Sequence, residues 1–428
     1  MAVVRILPLP PDPVVLARSL AGRPGLAVLA SRPWGGLRVD DTRWSFLTCE
    51  PVDSTDDLVP AVPNKEETAG PAPRWIGVVP YEALRSMERP GWTRHPDLRP
   101  PCALGLPAWR RYAAVGRIDH LTGEVAVIGD DGKSVGALVE ALHSTPAARP
   151  AVHVRPLPPD EPDETHLERV RAALRLIAAG DLYEVNLARR ICLEVRGDGL
   201  ALFASLLDAA PTPWGFLQEL GDSIVCGVSP ELALSVHGDT LRTAPVKGTR
   251  PRGRDAREDR GLAAALDADP KERAELTMAV DVHRNDLGRV AVPGSIRVLG
   301  EPRVLAGRTV WSRAAEVVAR RAPGVTLEAI ARAVLPCGSI TGAPKVRAME
   351  VIAQLEPWRR GAYTGVFGWV GRDGCLELAM AIRTLQWAQG YEAEYFTGGG
   401  IVADSVPARE LEETHWKAAQ LEALHSTP

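Results

Sequence analysis

Lys247, in the stretch Thr243-Ala244-Pro245-Val246-Lys247-Gly248-Thr249-Arg250, is a residue type that can form a bond to an electron-poor carbon. An ordinary lysine has a pKa of about 10.4, so a neighbouring cation or a dry pocket is needed to favour the free amine at neutral pH. Upstream, Glu231 closes Gly227-Val228-Ser229-Pro230-Glu231 and reads as buried. Downstream, Glu272 and Glu275 are spaced i, i+3; Glu410 and Glu413 repeat that spacing, with Lys417 one turn further. On a helix each pair projects from one face. Two such helices facing each other would bring four carboxylates to one point, where they repel unless a cation lies between them. Mg²⁺, hard and oxygen-seeking, is the natural candidate. Taken singly, each pair reads equally as a solvated helix face.

Gly398-Gly399-Gly400-Ile401-Val402-Ala403 matches a dinucleotide fingerprint in letters, but Asp404-Ser405-Val406-Pro407 intervenes where a helix must open directly. NAD binding is therefore not expected. The glycine run can still expose backbone N–H groups to a ligand, or be a plain turn. Arg383 ends a short apolar strand; its planar fork suits a carboxylate, although a lone strand-end arginine is commonly a surface residue. Tyr363 reads alone as a core or rim aromatic, Asn285-Asp286 as a helix C-terminal cap and turn, and His283 as an ordinary histidine without ligand spacing.

The elements that must position these groups change in texture along the chain. Residues 52–74 and 144–164 are rich in Pro, Asp, Glu and Ala and read as linkers or surface loops. Between them, runs such as Val125-Ala126-Val127-Ile128 read as strands. Apolar spacing predicts helices over 166–179, 258–287, 326–334, 342–355 and 408–424. Residues 223–249 predict antiparallel strands turning at His237-Gly238-Asp239. Residues 361–371 and 376–384 predict a strand pair joined at Arg372-Asp373-Gly374. Strands and helices do not alternate regularly, which disfavours a parallel doubly wound sheet. The expected class is α+β, a large antiparallel β-sheet sandwich flanked by helices. Residues 1–150 are expected to contribute strands to a core shared with a catalytic region over 165–424.

The chain has 428 residues and a formal net charge of -4, with Lys and Arg scattered, so no nucleic-acid footprint is expected. No apolar run approaches the roughly 20 residues that span a bilayer. The start, Met1-Ala2-Val3-Val4-Arg5, leads into prolines rather than an apolar segment, so no signal peptide is expected. Six scattered cysteines without C-x-x-C suggest neither a disulfide framework nor a zinc site. The expected address is cytoplasmic.

Together these segments resemble the chorismate-utilising enzymes, which include anthranilate synthase component I, aminodeoxychorismate synthase component I, isochorismate synthases and salicylate synthases. The resemblance is strong over 165–424. It is carried by Asp181-Leu182-Tyr183-Glu184-Val185-Asn186-Leu187, Ser229-Pro230-Glu231, Pro245 through Gly253, Asp281 through Val290, Gly338-Ser339-Ile340-Thr341-Gly342-Ala343-Pro344-Lys345, and Gly398 through Ser405. Pro245-Val246-Lys247-Gly248-Thr249 looks like aminodeoxychorismate synthase; anthranilate synthases typically carry alanine where Lys247 stands. Gly338-Ser339-Ile340-Thr341-Gly342 leans the same way.

The resemblance implies Lys247 as nucleophile and Glu231 as general acid near the C4 hydroxyl. It implies Glu275 and Glu413 as Mg²⁺ ligands, with Glu272 and Glu410 ordering its waters. Arg383, Tyr363, Thr249, Lys417 and the Gly399-Gly400 backbone would grip the two carboxylates of chorismate. Ser312 stands where the family usually has a histidine; it can hydrogen-bond substrate but cannot act as an acid near neutral pH. Ala210-Pro211-Thr212-Pro213-Trp214 replaces the family's Asn-Pro-Ser-Pro-Tyr, and Leu29-Ala30-Ser31 is the nearest match to Leu-Leu-Glu-Ser, so tryptophan feedback through those contacts is not expected. The implied reaction is amination of chorismate at C4, with ammonia from a separate glutamine amidotransferase subunit, since no such glutaminase motif is present. The alternatives are anthranilate synthase component I, which aminates C2 and loses pyruvate, and a non-catalytic chorismate-binding subunit, motivated by Ser312.

Overall fold

The computed structural model describes residues 2–62, 65–87, 99–102, 104–146, 152–388, 392–422 and 424. Residues 63–64 and 147–151 of the two linker stretches, Met1 and residue 423 of the closing helix lie outside the described residues.

Alternating apolar runs build two large antiparallel sheets of twelve and nine strands and a small one of three. The two large sheets face each other. Phe216 of the larger stacks on Phe367 of the smaller with ring centroids 3.5 Å apart, and Phe46 meets Trp369 across the same interface. The buried amide of Gln218 reaches from the larger sheet to the Ile76 carbonyl of the other at 3.0 Å. This is an α+β sandwich flanked by helices.

Sequence-distant strands alternate within both sheets. Ala27–Ala30 pairs with Trp214–Glu219, and Pro73–Val79 pairs with Val366–Gly371. Both linker-like stretches contain short strands that proline content concealed. Asp53–Thr55 lies at the outer end of the nine-stranded sheet, and His153–Pro156 pairs only with the end of Glu184–Arg196. Proline tolerates such edge positions because one side of the strand needs no donors.

Where the elements depart from sequence expectation, proline and left-handed residues are the cause. The helix expected over 258–287 is two, Ala256–Ala268 and Pro270–Gly288. Asp269 is extended between them and caps the second helix through the amides of Lys271 and Glu272. The residue before a proline is disfavoured in helical geometry, while proline itself suits the first helical position. Asn285 and Asp286 consequently fall inside the last turn of this helix rather than beyond it.

The helix expected over 342–355 begins at Lys345, and Gly342–Ala343 instead forms a two-residue strand against Glu184 and Val185. The strand expected over 361–371 starts at Val366, after a turn with Gly361 and Thr364 at positive φ. The strand expected over 376–384 stops at Met380, and Arg383 has φ 53° before the next strand, Thr384–Ala388.

These last breaks matter. Leu376–Met380 belongs to the nine-stranded sheet and Thr384–Ala388 to the twelve-stranded one, so the chain changes sheets around Arg383. It also changes sheets between Ser223–Ser229 and Leu232–His237, around Glu231. The two crossovers are hydrogen-bonded together, Val228 N to Arg383 O and Met380 N to Glu231 O. Glu231 and Arg383 therefore stand side by side in the seam of the sandwich.

Candidate active site

The seam opens into a cleft. Its lining includes Glu231, Lys247, Thr249, Glu275, Ser312, Tyr363, Arg383, Gly400, Glu413 and Lys417, ten of the thirteen residues singled out above. The others, Glu272, Gly399 and Glu410, lie just behind this wall.

Lys247 is carried by the strand Val246–Pro251, which pairs with Val310–Ala314. Gly248, at φ 77°, shifts the register there, so Lys247 and Thr249 both reach the cleft, the latter opposite Ser312. A Cβ at 248 would stand 2.7 Å from the Glu272 carboxylate. The lysine is buried and donates to Glu184 Oε1 at 2.5 Å. Burial alone would lower its pKa, but Glu184, Glu275 and Glu231 together hold it above its ordinary value. Of the two conditions that would free the amine, a cation or a dry pocket, the protein supplies burial, but its carboxylate walls outweigh it. In this arrangement Lys247 is an ammonium.

Glu231 is buried at the sheet crossover, where its Oε1 accepts from Ser339 Oγ at 2.6 Å. Burial pushes its pKa up to about 7, against the opposing influence of Ser339 and Lys247. A carboxyl poised there can donate a proton at neutral pH.

The two acidic helices do face each other. Lys271 Nζ bridges them, 2.9 Å from Glu410 and 3.4 Å from Glu275. Glu272 pairs with Arg250 at 2.8 Å and Glu413 with Lys417 at 2.6 Å. Among the described residues no three acidic, histidine or cysteine side chains converge into a ready metal cage, and the four carboxylates lie against Lys271, Arg250 and Lys417. Glu275 Oε1 nonetheless is buried without a hydrogen bond, although Lys271 Nζ lies 3.4 Å away. Burial raises the Glu275 pKa to about 7 and also raises that of Glu272, which the Glu413 charge lifts further. For Glu413 burial pulls upward, but Lys417 and Lys271 outweigh it and the pKa is lowered. A buried, under-partnered carboxylate beside three others fits a hard divalent cation that keeps several waters.

The glycine run lies within the strand Ala393–Ile401, neither a turn nor a helix-opening loop; the next helix, Pro407–Glu422, begins only after a turn. A Cβ at Gly399 would face Glu410 and Glu413, and one at Gly400 would fall 2.4 Å from Glu184. Lys417 also donates to the Gly398 carbonyl at 2.8 Å.

Arg383 has no carboxylate partner among the described residues, and burial lowers its pKa. Its guanidinium lies over the Trp34 ring, 6.0 Å from the centroid. An uncompensated cation in a cleft calls for an anionic ligand. Tyr363 stacks on Phe396 beneath it, and burial pushes its phenol up to about 12, so it stays neutral. His283 is buried, and burial pulls it down to about 3, making it a neutral core histidine.

Sequence reasoning gave no role to Glu184, Ser339, Arg250 or Lys271. Glu184 and Ser339 stood inside stretches that carried the family resemblance, and Lys271 adjoined Glu272, but their partners are distant in sequence. A second buried pair, Glu356 with Arg360, supports the site from below: Glu356 accepts the Ala188 amide, and Arg360 donates to the Asn186 carbonyl.

The chain matches the family described as chorismate binding enzyme over residues 37–423. It is 38% identical over 359 residues to anthranilate synthase component 1 of Thermus thermophilus, covering 81% of this chain and 76% of that one. It is 35% identical over 348 residues to aminodeoxychorismate synthase component 1 of Klebsiella aerogenes, again 81% of this chain and 76% of the relative. Anthranilate synthase component I of Streptococcus pneumoniae superposes with a TM-score of 0.75 at 27% identity, covering 88% of this chain and 91% of that one.

Proposed function

This chain belongs to the chorismate binding enzyme family, and we propose that within it the protein aminates chorismate at C4, giving 4-amino-4-deoxychorismate. The observation that carries this reading is Lys247, buried in the cleft beside Glu231 and Glu184. A relative at 35% identity bears the aminodeoxychorismate synthase name. Similar relatives named anthranilate synthase favour the second reading, amination at C2 with loss of pyruvate.

Chorismate carries two carboxylates. Arg383 and Lys417 supply opposite charge, and Thr249, Tyr363, Ser312 and the Gly399-Gly400 backbone complete the grip. Glu275 and Glu413 would hold Mg²⁺, with Glu272 and Glu410 ordering its water, and the ion would supply positive charge to the acidic cluster and to a substrate carboxylate. Glu275 is also one of the three acidic groups that keep Lys247 protonated.

Lys247 releases one proton to solvent and its lone pair forms a bond to C2. The ring double bonds shift and the C4–O bond breaks. Glu231 donates its proton, so the hydroxyl departs as water. The second lysine proton then restores Glu231, leaving a neutral secondary amine on C2. Ammonia forms the C4–N bond, the double bonds shift back, and the lysine nitrogen leaves with a proton. Ammonia comes from a separate glutamine amidotransferase subunit, and the reaction runs in the cytoplasm. No helix among the described residues is long and apolar enough to cross a membrane.

The test is incubation with chorismate, Mg²⁺ and ammonium, followed by mass analysis. A product retaining the enolpyruvyl group is expected. Anthranilate with pyruvate would establish the second reading, and binding without turnover would favour a non-catalytic subunit.

A further inference from the structure

We propose that Trp34 is a positioning residue for substrate: its ring face holds the Arg383 guanidinium open to a carboxylate of chorismate. This rests on Arg383 gripping that carboxylate, as set out above.

Trp34 precedes the stretch, 37–423, over which the chain matches its family. The segment after the strand Ala27–Ala30 carries it in. Gly35 pairs with Ala306, which ends Arg303–Ala306, an outer strand of the three-stranded sheet that also carries Lys247. Ala306 N donates to Gly35 O at 3.0 Å, and Leu37 N to Trp34 O at 3.3 Å. Farther along, Arg38 donates to Glu316 at 2.9 Å, and Asp41 accepts from Arg242 at 2.6 and 2.8 Å. These ties fix the indole, which is buried and meets Gly307 so closely that a Cβ there would stand 3.0 Å from the ring.

The indole N–H is buried without a hydrogen bond. An orphan donor is a cost, so the donor is not what this position uses. What remains is the face, and among aromatic rings an indole attracts a guanidinium best. The Arg383 guanidinium lies over that face.

Arg383 needs such a hold. It has no carboxylate partner among the described residues. Yet Glu231, Glu275 and Glu413 line the same cleft. A guanidinium free to rotate would be drawn to one of them, and an arginine already paired is a poor receptor for a substrate anion. A ring face attracts the cation but has no lone pair to occupy its N–H donors. The fork therefore stays open, and a carboxylate of chorismate supplies the missing counter-charge. On this view the N-terminal region reaches the cleft through one side chain, and that side chain acts through another.

Calorimetry with chorismate, Mg²⁺ and no ammonium compares Trp34→Leu and Trp34→Phe with wild type, and repeats Trp34→Leu in an Arg383→Met background. Trp34→Leu is expected to weaken chorismate binding roughly 3- to 30-fold, the worth of a cation held over an indole. Trp34→Phe keeps a ring and should stay within about threefold of wild type. Beside Arg383→Met, Trp34→Leu should change the affinity by less than about twofold, because its effect runs through the arginine. Trp34→Met, which fills space flexibly without a ring, carries the test if the leucine variant does not fold. Unchanged affinity in Trp34→Leu overturns the proposal, as does the same loss in both backgrounds, which would make Trp34 mere packing for the cleft wall. If wild type binds no chorismate, the functional reading itself fails. If wild type binds and Arg383→Met binds equally well, the grip assigned to Arg383 fails, and the role of Trp34 with it.

Discussion

The Ser339 hydroxyl donates to Glu231 Oε1 across 2.6 Å, joining a short helix, Gly338–Thr341, to the crossover between the two large sheets. The bond fixes the carboxyl without forcing its ionisation, because burial still holds the pKa at about 7. The protonated form is the one that can assist departure of a hydroxyl.

Turnover under subsaturating chorismate should therefore fall as pH rises through about 7, since the acid form is lost. Glu231→Gln should reduce kcat by roughly 10²- to 10⁴-fold, the usual worth of a general acid. The same shift has a stability sign. A carboxyl raised in the folded state stabilises it fully below the unfolded pKa, and this contribution fades as pH rises toward about 7. A flat rate profile between pH 6 and pH 9 (on the order of the range the raised pKa spans) would remove Glu231 from the acid role.

Lys247→Ala should abolish any chorismate-derived adduct seen by intact-mass analysis and cut C4 amination to below roughly a hundredth. Lys247→Arg keeps the charge beside Glu184 but does not readily deprotonate. Near-normal rates in the arginine variant, with no adduct on the parent protein, would leave Lys247 an electrostatic role only.

Mg²⁺ affinity should rise with pH through about 7. Glu275, pushed up to about 7 by burial, must lose its proton to bind a cation, so binding releases protons near neutrality. Calorimetry in two buffers of different ionisation enthalpy measures that release. Glu275→Gln should lose both the proton release and Mg²⁺-dependent turnover while keeping the fold. Full activity of this variant in chelator would refute the metal assignment.

Arg383→Met should weaken chorismate binding by about 1.5–3 kcal/mol, the range for a charged hydrogen-bonded contact, or roughly 10- to 150-fold. Its melting temperature without ligand should hold or rise, because the substitution removes a half-buried cation that has no carboxylate partner among the described residues. Equal losses of stability and binding would make Arg383 a structural residue.

The sandwich, the antiparallel strands and the closing helix were legible because each depends on local apolar period. The chemistry-bearing side chains were legible because their motifs are continuous: Lys247 within Pro245 through Gly253, Glu231 after Ser229-Pro230. What they share in space was not. Nothing in the letters around Glu231 or Arg383 says that the chain changes sheets there, since that depends on which distant strand pairs next. Glu184 has no legible role until Lys247 is placed against it. The protonation of Lys247 was not legible for the same reason: the carboxylates in its walls come from three separate segments.

The interleaving of early and late strands has a consequence for how the molecule comes into being. Pro73–Val79 must wait for Val366–Gly371, and Ala27–Ala30 for Trp214–Glu219, before their ladders close. A nascent chain emerging from the ribosome thus carries open, apolar strand edges until nearly all of it has been made. Pairings this far apart form slowly, and the waiting edges are exposed to other chains. Shortening the chain from its C-terminal end, even by the stretch from residue 366 onward, would leave the Pro73–Val79 edge permanently bare and should give aggregates in place of a smaller working enzyme.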